Sequence, residues 1–317
     1  MRVGFGDSAV RSVYAAADPS PIFVYTDQME CRSLLLLMLV VPVPAQDMHS
    51  SCANCATWNK PHPAFRIYGN TYYVGTDGLS SVLITSGTGH VLIDGALPES
   101  APLIVANIRS LGFRIEDVKL IVNSHAHFDH AGGIAELQRL SGARVAASQW
   151  TADVMNKSAV PRDDPQFGTI PPIARVARVE IFKDGETLSA GAVTVTAHLT
   201  PGHTPGGTSW TWRSCASGRC LNLVYADSLT PVSADGFRFT SRKEYPHADD
   251  FERSFSFLDG TPCDILITPH PGASNFWQRL EQRNSKPDAL IAPTACRVLA
   301  ETSREQLRDR LAAERGK

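Results

Sequence analysis

Apolar and polar positions divide most of the chain into recognisable units. The runs "FRIYGNTYYVGT", "LSSVLIT" and "HVLIDG" are β-rich and separated by turn residues such as Gly69-Asn70 and Gly87 to Gly89, a pattern that predicts a meander. "PESAPLIVANIRSLGF" repeats apolar residues at helical spacing, opens with Pro98 and closes on Gly112, which predicts a helix before the strand "VKLIVN". "AGGIAELQRLSG" predicts another helix and "ARVAAS" another strand. A long loop, "NKSAVPRDDPQFGTIPPIA", follows; a structureless stretch of this length in an enzyme is commonly a lid or a substrate wall. The β pattern resumes in "ARVEIF", "AVTVTAHLT", "GTSWTWRS" and "CLNLVYADS". A helix "DDFERSFSFLDG", a strand "CDILITPH" and two C-terminal helices complete the chain. β-rich sequence followed by βαβα, twice over and with no low-complexity linker, predicts an α/β protein forming one αββα sandwich. Two mixed sheets would carry helices on their outer faces and bring loops from both halves to one edge.

The N-terminal region departs from this pattern. Residues 29–45 combine Arg32, an apolar core over 33–43 and a small-residue end at Ala45, as a secretory signal peptide does. The core is too short for a membrane span, which needs about 20 residues. The expected organisation is an upstream extension over 1–28 outside the mature protein, the signal over 29–45, and one domain over 46–317, with no membrane anchor once the signal is removed. Cys31 would leave with the signal, so six of the seven cysteines remain for an oxidising compartment. Six cysteines allow many connectivities. Cys215 with Cys220 would close a hairpin through "CASGRC", Cys263 with Cys296 would tie the last helix to the sheet, and Cys52 with Cys55 follows by elimination. The alternative for "CANC", half a zinc site or a redox pair, lacks a second such pair and a strand-to-helix context.

Formal net charge is −2 and 43% of residues are hydrophobic, so the chain has a core-forming composition and no basic field for a nucleic acid. A small molecule is the expected partner.

"NSHAHFDHAGG" places three histidines and an aspartate on a strand-to-helix loop, where open α/β sheets bind ligands. The two halves of the motif point in different directions and suit two adjacent metals better than one tetrahedral ion. Two more histidines follow strands beside Pro and Gly: His203 in "LTPGHTPGG" and His270 in "LITPHPG". The ligand sets expected are His125, His127 and His203 for one metal, and Asp129, His130 and His270 for the other. Three protein ligands leave an open coordination position, which marks a catalytic zinc site. The remaining histidines, His198 among them, lack such context.

The H-x-H-x-D-H run resembles the signature of the metallo-β-lactamase superfamily, with similarity from Phe65 to the C-terminus. "YADSLT" and "TPHPGASN" resemble the third subclass of class B β-lactamases, secreted di-zinc enzymes of αββα fold. In the other lactamase subclasses a cysteine serves the second zinc; here Ser228 stands near that place and His130 is the extra ligand. The resemblance implies a periplasmic or secreted, monomeric enzyme that binds two Zn2+ and opens penicillins, cephalosporins or carbapenems with a metal-bound hydroxide, conferring antibiotic resistance. Two zinc ions lower the pKa of water to roughly 7 for this attack. Asp129 would also steer the hydroxide, and Ser228 and Thr230 would offer hydroxyls to the substrate carboxylate. Gln166 would contact substrate or water on the long loop, with Phe167 as an apolar wall. Asp94 resembles the family's buried carboxylate that orients a ligand histidine. Asp227 either bridges the metals, as in other hydrolases of the superfamily, or does not. The rival readings are a lactonase or thioester hydrolase of the same fold, in which Asp227 would coordinate both metals, and a non-catalytic zinc-binding module with a closed site.

Overall fold

The computed structural model describes residues 52–316 other than Arg242, Glu244 and Pro246. The expected export signal (29–45) and the stretch before it lie outside the described residues. After a short helix, α1 (Cys55–Trp58), four strands form the expected antiparallel meander: β1 (Phe65–Tyr68), β2 (Thr71–Tyr73), β3 (Val82–Ile84) and β4 (His90–Ile93). Gly69, at φ +51°, makes the first turn in a conformation that glycine adopts without penalty.

Helix α2 (Ala101–Ser110) buries Ala101, Ile104 and Ile108 along one face and returns the chain to β5 (Val118–Val122), parallel to β4. The one-turn α3 (Phe128–Ala131), then α4 (Ile134–Ser141), lead to β6 (Arg144–Ala147). Helix α5 (Gln149–Lys157) and the long loop lead to β7 (Val179–Ile181). All these strands form one seven-stranded sheet in the order β1 to β7. "ARVEIF", expected to open the second half, therefore closes the first. It pairs parallel to β6, which a chain returning through a helix permits and a tight turn does not.

The second sheet has five strands in the order β12-β11-β10-β9-β8. Its antiparallel members are β8 (Thr187–Ala190), β9 (Val193–Leu199), β10 (Thr208–Ala216) and β11 (Arg219–Tyr225). Helix α6 (Ala248–Gly260) then carries the chain to β12 (Ile265–Ile267), parallel to β11. The short α7 (Phe276–Glu281) and the long α8 (Ala295–Arg315) follow.

Three apolar layers hold four structural layers together. Between the sheets lie Tyr73, Val91, Val122, Trp210, Trp212 and Tyr225, so both tryptophans belong to the core. Ile104, Ile134, Leu137 and Met155 pack α2, α4 and α5 on the first sheet. Phe251, Phe255, Ala300 and Leu307 pack α6 and α8 on the second. The result is the expected αββα sandwich. Disulfides join Cys215 to Cys220 across β10 and β11, Cys263 to Cys296 at the start of α8, and Cys52 to Cys55. His198 is satisfied structurally, 2.9 Å from the Thr211 hydroxyl and stacked on Phe257.

Candidate metal centre

The carboxyl ends of β4, β5, β11 and β12 and the β9–β10 loop open onto one edge of the sandwich. That edge gathers the histidines. His125, His127 and His203 form one group and Asp129, His130 and His270 a second, the ligand atoms within each lying within 4.8 Å of one another. The groups adjoin, since the His125 and His130 rings are 4.5 Å apart. In the second group Asp129 Oδ2 is 3.3 Å from the Nε2 atoms of both His130 and His270.

Each ring of the first group is held from behind, leaving its other nitrogen to face the centre. Asp227 Oδ1 lies 2.7 Å from His125 Nδ1. The Asp164 carboxylate lies 3.0 and 3.2 Å from His127 Nε2. His203 Nδ1 donates to the Thr230 carbonyl at 2.9 Å. In the second group, His270 Nδ1 approaches the Gly78 carbonyl at 3.3 Å. Such outer partners fix the tautomer of metal-ligating histidines.

The decisive atom is His125 Nε2, which is buried and has no hydrogen-bond partner. A buried acceptor left unpaired costs about 1–3 kcal/mol, and a cation held by the neighbouring ligand atoms removes that cost. Burial, reinforced by neighbouring histidines, pushes the His125 imidazole well below its usual range. Burial likewise brings His130 down to about 3 and His203 down to about 4. These rings are therefore neutral at physiological pH, as metal ligation demands. Burial alone would raise the Asp129 carboxyl, but His130 and His270 beside it hold it below the usual carboxylate range.

One strand-end aspartate differs from expectation. Asp94 touches no ligand histidine: it accepts from the Ser124 amide and hydroxyl and from the Tyr225 hydroxyl, each at 2.7 Å. Its φ of +61° at the end of β4 turns it along the sheet edge toward these donors. Burial pushes its carboxyl up to about 7 against their pull. The role expected of Asp94 falls to Asp227, which meets His125 through Nδ1 and belongs to neither ligand group. Asp164 is a further carboxylate that sequence reading missed; its only signal is a pair of aspartates in the long loop.

A groove of about 560 Å³ runs over both groups, within the range that holds a small ligand. Gln166, Ser228 and Thr230 line it, as do His127, Asp129, His203 and His270. The Gln166 side-chain amide is 3.4 Å from both His127 Nδ1 and His203 Nε2. Apolar walls come from Trp58, Ile170, Pro171 and Val232. Phe167, expected in this role, is instead 40% exposed beneath the Arg162 guanidinium. Trp58, 5.0 Å from the His270 ring, takes its place from a segment that reads only as polar lead.

The profile of the metallo-beta-lactamase superfamily matches residues 74–215. The solved Rm3 metallo-beta-lactamase is 55% identical and superposes with a TM-score of 0.82 over 84% of this chain and 99% of its own. The chain belongs to the metallo-beta-lactamase superfamily. A second solved structure, the subclass B3 metallo-beta-lactamase MEM-A1 from a soil metagenome library, is 48% identical with a TM-score of 0.80, covering 82% of this chain and 99% of that one. A probable metallo-hydrolase of Burkholderia pseudomallei (strain 1710b) is 30% identical over 146 residues, 40% of this chain and 45% of that protein, so the match spans less than half of that curated relative. This metallo-β-lactamase is thus a metal-binding hydrolase with a small-molecule substrate.

Proposed function

We propose that the protein is an exported, monomeric di-zinc β-lactamase of the B3 type that opens penicillins, cephalosporins and carbapenems and so protects its host from them. The observation that carries this reading is the pair of adjoining ligand groups in one groove, each with three side chains and an open approach. Softness and geometry favour zinc for a set of five imidazoles and one carboxylate. When bound, paired zinc ions acidify water near neutral pH and polarise the carbonyl under attack.

The chain's own residues prepare this chemistry. Asp227, Asp164 and the Thr230 carbonyl orient the three histidines of the first group. Asp129 supplies the negative charge of the second and a carboxylate oxygen that can direct an attacking water. Ser228 and Thr230 stand in the groove where hydroxyls can receive a substrate carboxylate, and Gln166 covers the first group from the long loop. Trp58, Ile170 and Val232 offer apolar contact to the substituents of a bicyclic lactam and exclude water around it. The position of Asp227 behind His125 supports a lactamase over a lactonase or thioester hydrolase, in which that carboxylate would bridge the metals.

The test is hydrolysis of a carbapenem and a penicillin by the purified protein, with and without chelator, alongside its zinc content. Turnover that stops with chelator and returns with about two zinc ions per chain is expected. Two bound zinc ions without lactam opening would move the assignment to another hydrolase of this fold.

A further inference from the structure

The long loop after α5 bears two carboxylates that face opposite ways. Asp163 is exposed and accepts from Trp150 Nε1 on α5 at 3.1 Å. Asp164 is only 2% exposed and turns inward. Both its oxygens address His127 Nε2, and Oδ1 also accepts the Gln166 amide at 2.8 Å. The backbone winds tightly about this side chain: Asp164 N–H donates to the Pro161 carbonyl and Phe167 N–H to the Asp164 carbonyl. From the segment that follows Val232, Ala234 N–H donates to the Pro165 carbonyl at 2.7 Å. The same few residues therefore close the loop over the groove and hold one ligand histidine in register.

His127 can offer Nδ1 to a cation only if its proton sits on Nε2, and that proton needs an acceptor in a site shielded from water. Asp164 is that acceptor, and the loop conformation in the structure places it there. A cation on Nδ1 would in turn polarise the Nε2–H and strengthen its bond to the carboxylate. Two events that each favour the other share one coupling free energy, identical in both directions.

We propose that Asp164 is a positioning residue that couples closure of the loop over residues 158–174 to metal occupancy of the His125, His127 and His203 group. Metal bound there closes the loop that carries Gln166, Ile170 and Pro171, and the closed loop tightens the metal by the same factor. Metal at this group thereby favours the complete substrate wall. This inference rests on the metal-site reading and not on the identity of the substrate.

The experiment compares the full chain with Asp164→Ala and Asp164→Asn. Zinc affinity is read by chelator competition, and loop closure by trypsin cleavage after the exposed Arg162, measured for each protein with no zinc and with zinc sufficient to load it. In the parent, zinc slows this cleavage. In Asp164→Ala one of the two zinc ions is held about 10–100-fold more weakly, the other is unaffected, and zinc no longer slows cleavage. Asp164→Asn, close in shape and neutral, falls between the two and serves if the alanine variant does not fold. Equal affinity in parent and variants, equal weakening of both zinc ions, or zinc protection of Arg162 that survives in Asp164→Ala would each overturn the proposal. Lactam turnover is not read, so failure of the substrate assignment leaves this test intact.

Discussion

His125 depends on three separated stretches of chain. The loop after β5 presents it, Asp227 at the end of β11 fixes its Nδ1, and Gly207 leaves room for Asp227. A Cβ at Gly207 would overlap Asp227 Oδ2 and lie 2.6 Å from the Thr200 carbonyl oxygen, which is backbone and cannot swing away. Gly207→Ala is therefore expected to displace Asp227, release the His125 ring and weaken zinc binding by about tenfold or more, as loss of outer partners does. Chelator titration measures this, and parental affinity in the variant would refute the spatial argument. Asp129→Ala removes the one carboxylate of its group and is expected to lose one of two zinc ions and most turnover; full metal content with near-normal turnover would exclude it as a ligand. The six residues of the two groups are legible in the sequence because each sits in a dense motif or beside Pro and Gly after a strand. The carboxylates behind them are not. Asp94 and Asp227 both end strands, and only the register of the sheets decides that Asp227 reaches a ligand histidine while Asp94 meets Ser124 and Tyr225.

Among the secondary-structure elements, even the short strands of the meander are legible in the sequence because turn residues bracket them, whereas α5 is not. Helix α5 buries Thr151, Ala152, Val154 and Met155, a stripe in which only two residues are strongly apolar, so its periodicity is faint although Ser148 caps it through the Thr151 amide. The sheet that β7 joins is likewise not written in β7, whose three residues are half-buried or exposed. The parallel pairing to β6 through α5 decides it. The disulfides act at this scale too. Cys263 and Cys296 are 33 residues apart and anchor α8, whereas Cys215 and Cys220 are 5 apart on a hairpin already paired along its length. Loop-closure entropy predicts a loss of about 3–4 kcal/mol for Cys263→Ser combined with Cys296→Ser, against about 2 kcal/mol for the hairpin pair. Urea unfolding of the two double variants under oxidising conditions tests this; an equal or reversed order would mean that native packing, not the length of the closed loop, sets their contribution.

The whole molecule must fold around three histidines, His125, His130 and His203, that burial holds neutral. In an unfolded chain an imidazole titrates near pH 6.5, while in the metal-free fold burial holds His125 well below that value, His130 at about 3 and His203 at about 4. Their folded values are depressed, so below about pH 6.5 the unfolded state takes up protons that the fold refuses. Stability is then lost as pH falls toward 4, by up to about 1.4 kcal/mol per unit for each histidine. Asp94 acts in the opposite sense. Its folded value of about 7 exceeds the roughly 3.9 of an unfolded carboxyl, so it favours the fold at low pH, and that contribution fades as pH rises through 7. Asp227, whose carboxyl burial also raises, acts in the same sense as Asp94, so three histidines oppose two carboxyls and the metal-free protein is expected to unfold at slightly lower urea at pH 5 than at pH 7. Asp94→Asn removes one opposing contribution and should steepen that decline. Bound metal lifts the whole curve, by about 2.7 kcal/mol per site when free metal is a hundred times its dissociation constant. Because the ligands must stay deprotonated, this protection wanes over the same acidic range. Urea midpoints at pH 7 and pH 5, for parent and Asp94→Asn after chelation, decide the point. A midpoint of Asp94→Asn that stays flat or rises on acidification would mean that the metal-free site opens to water and its histidines titrate as in the unfolded chain.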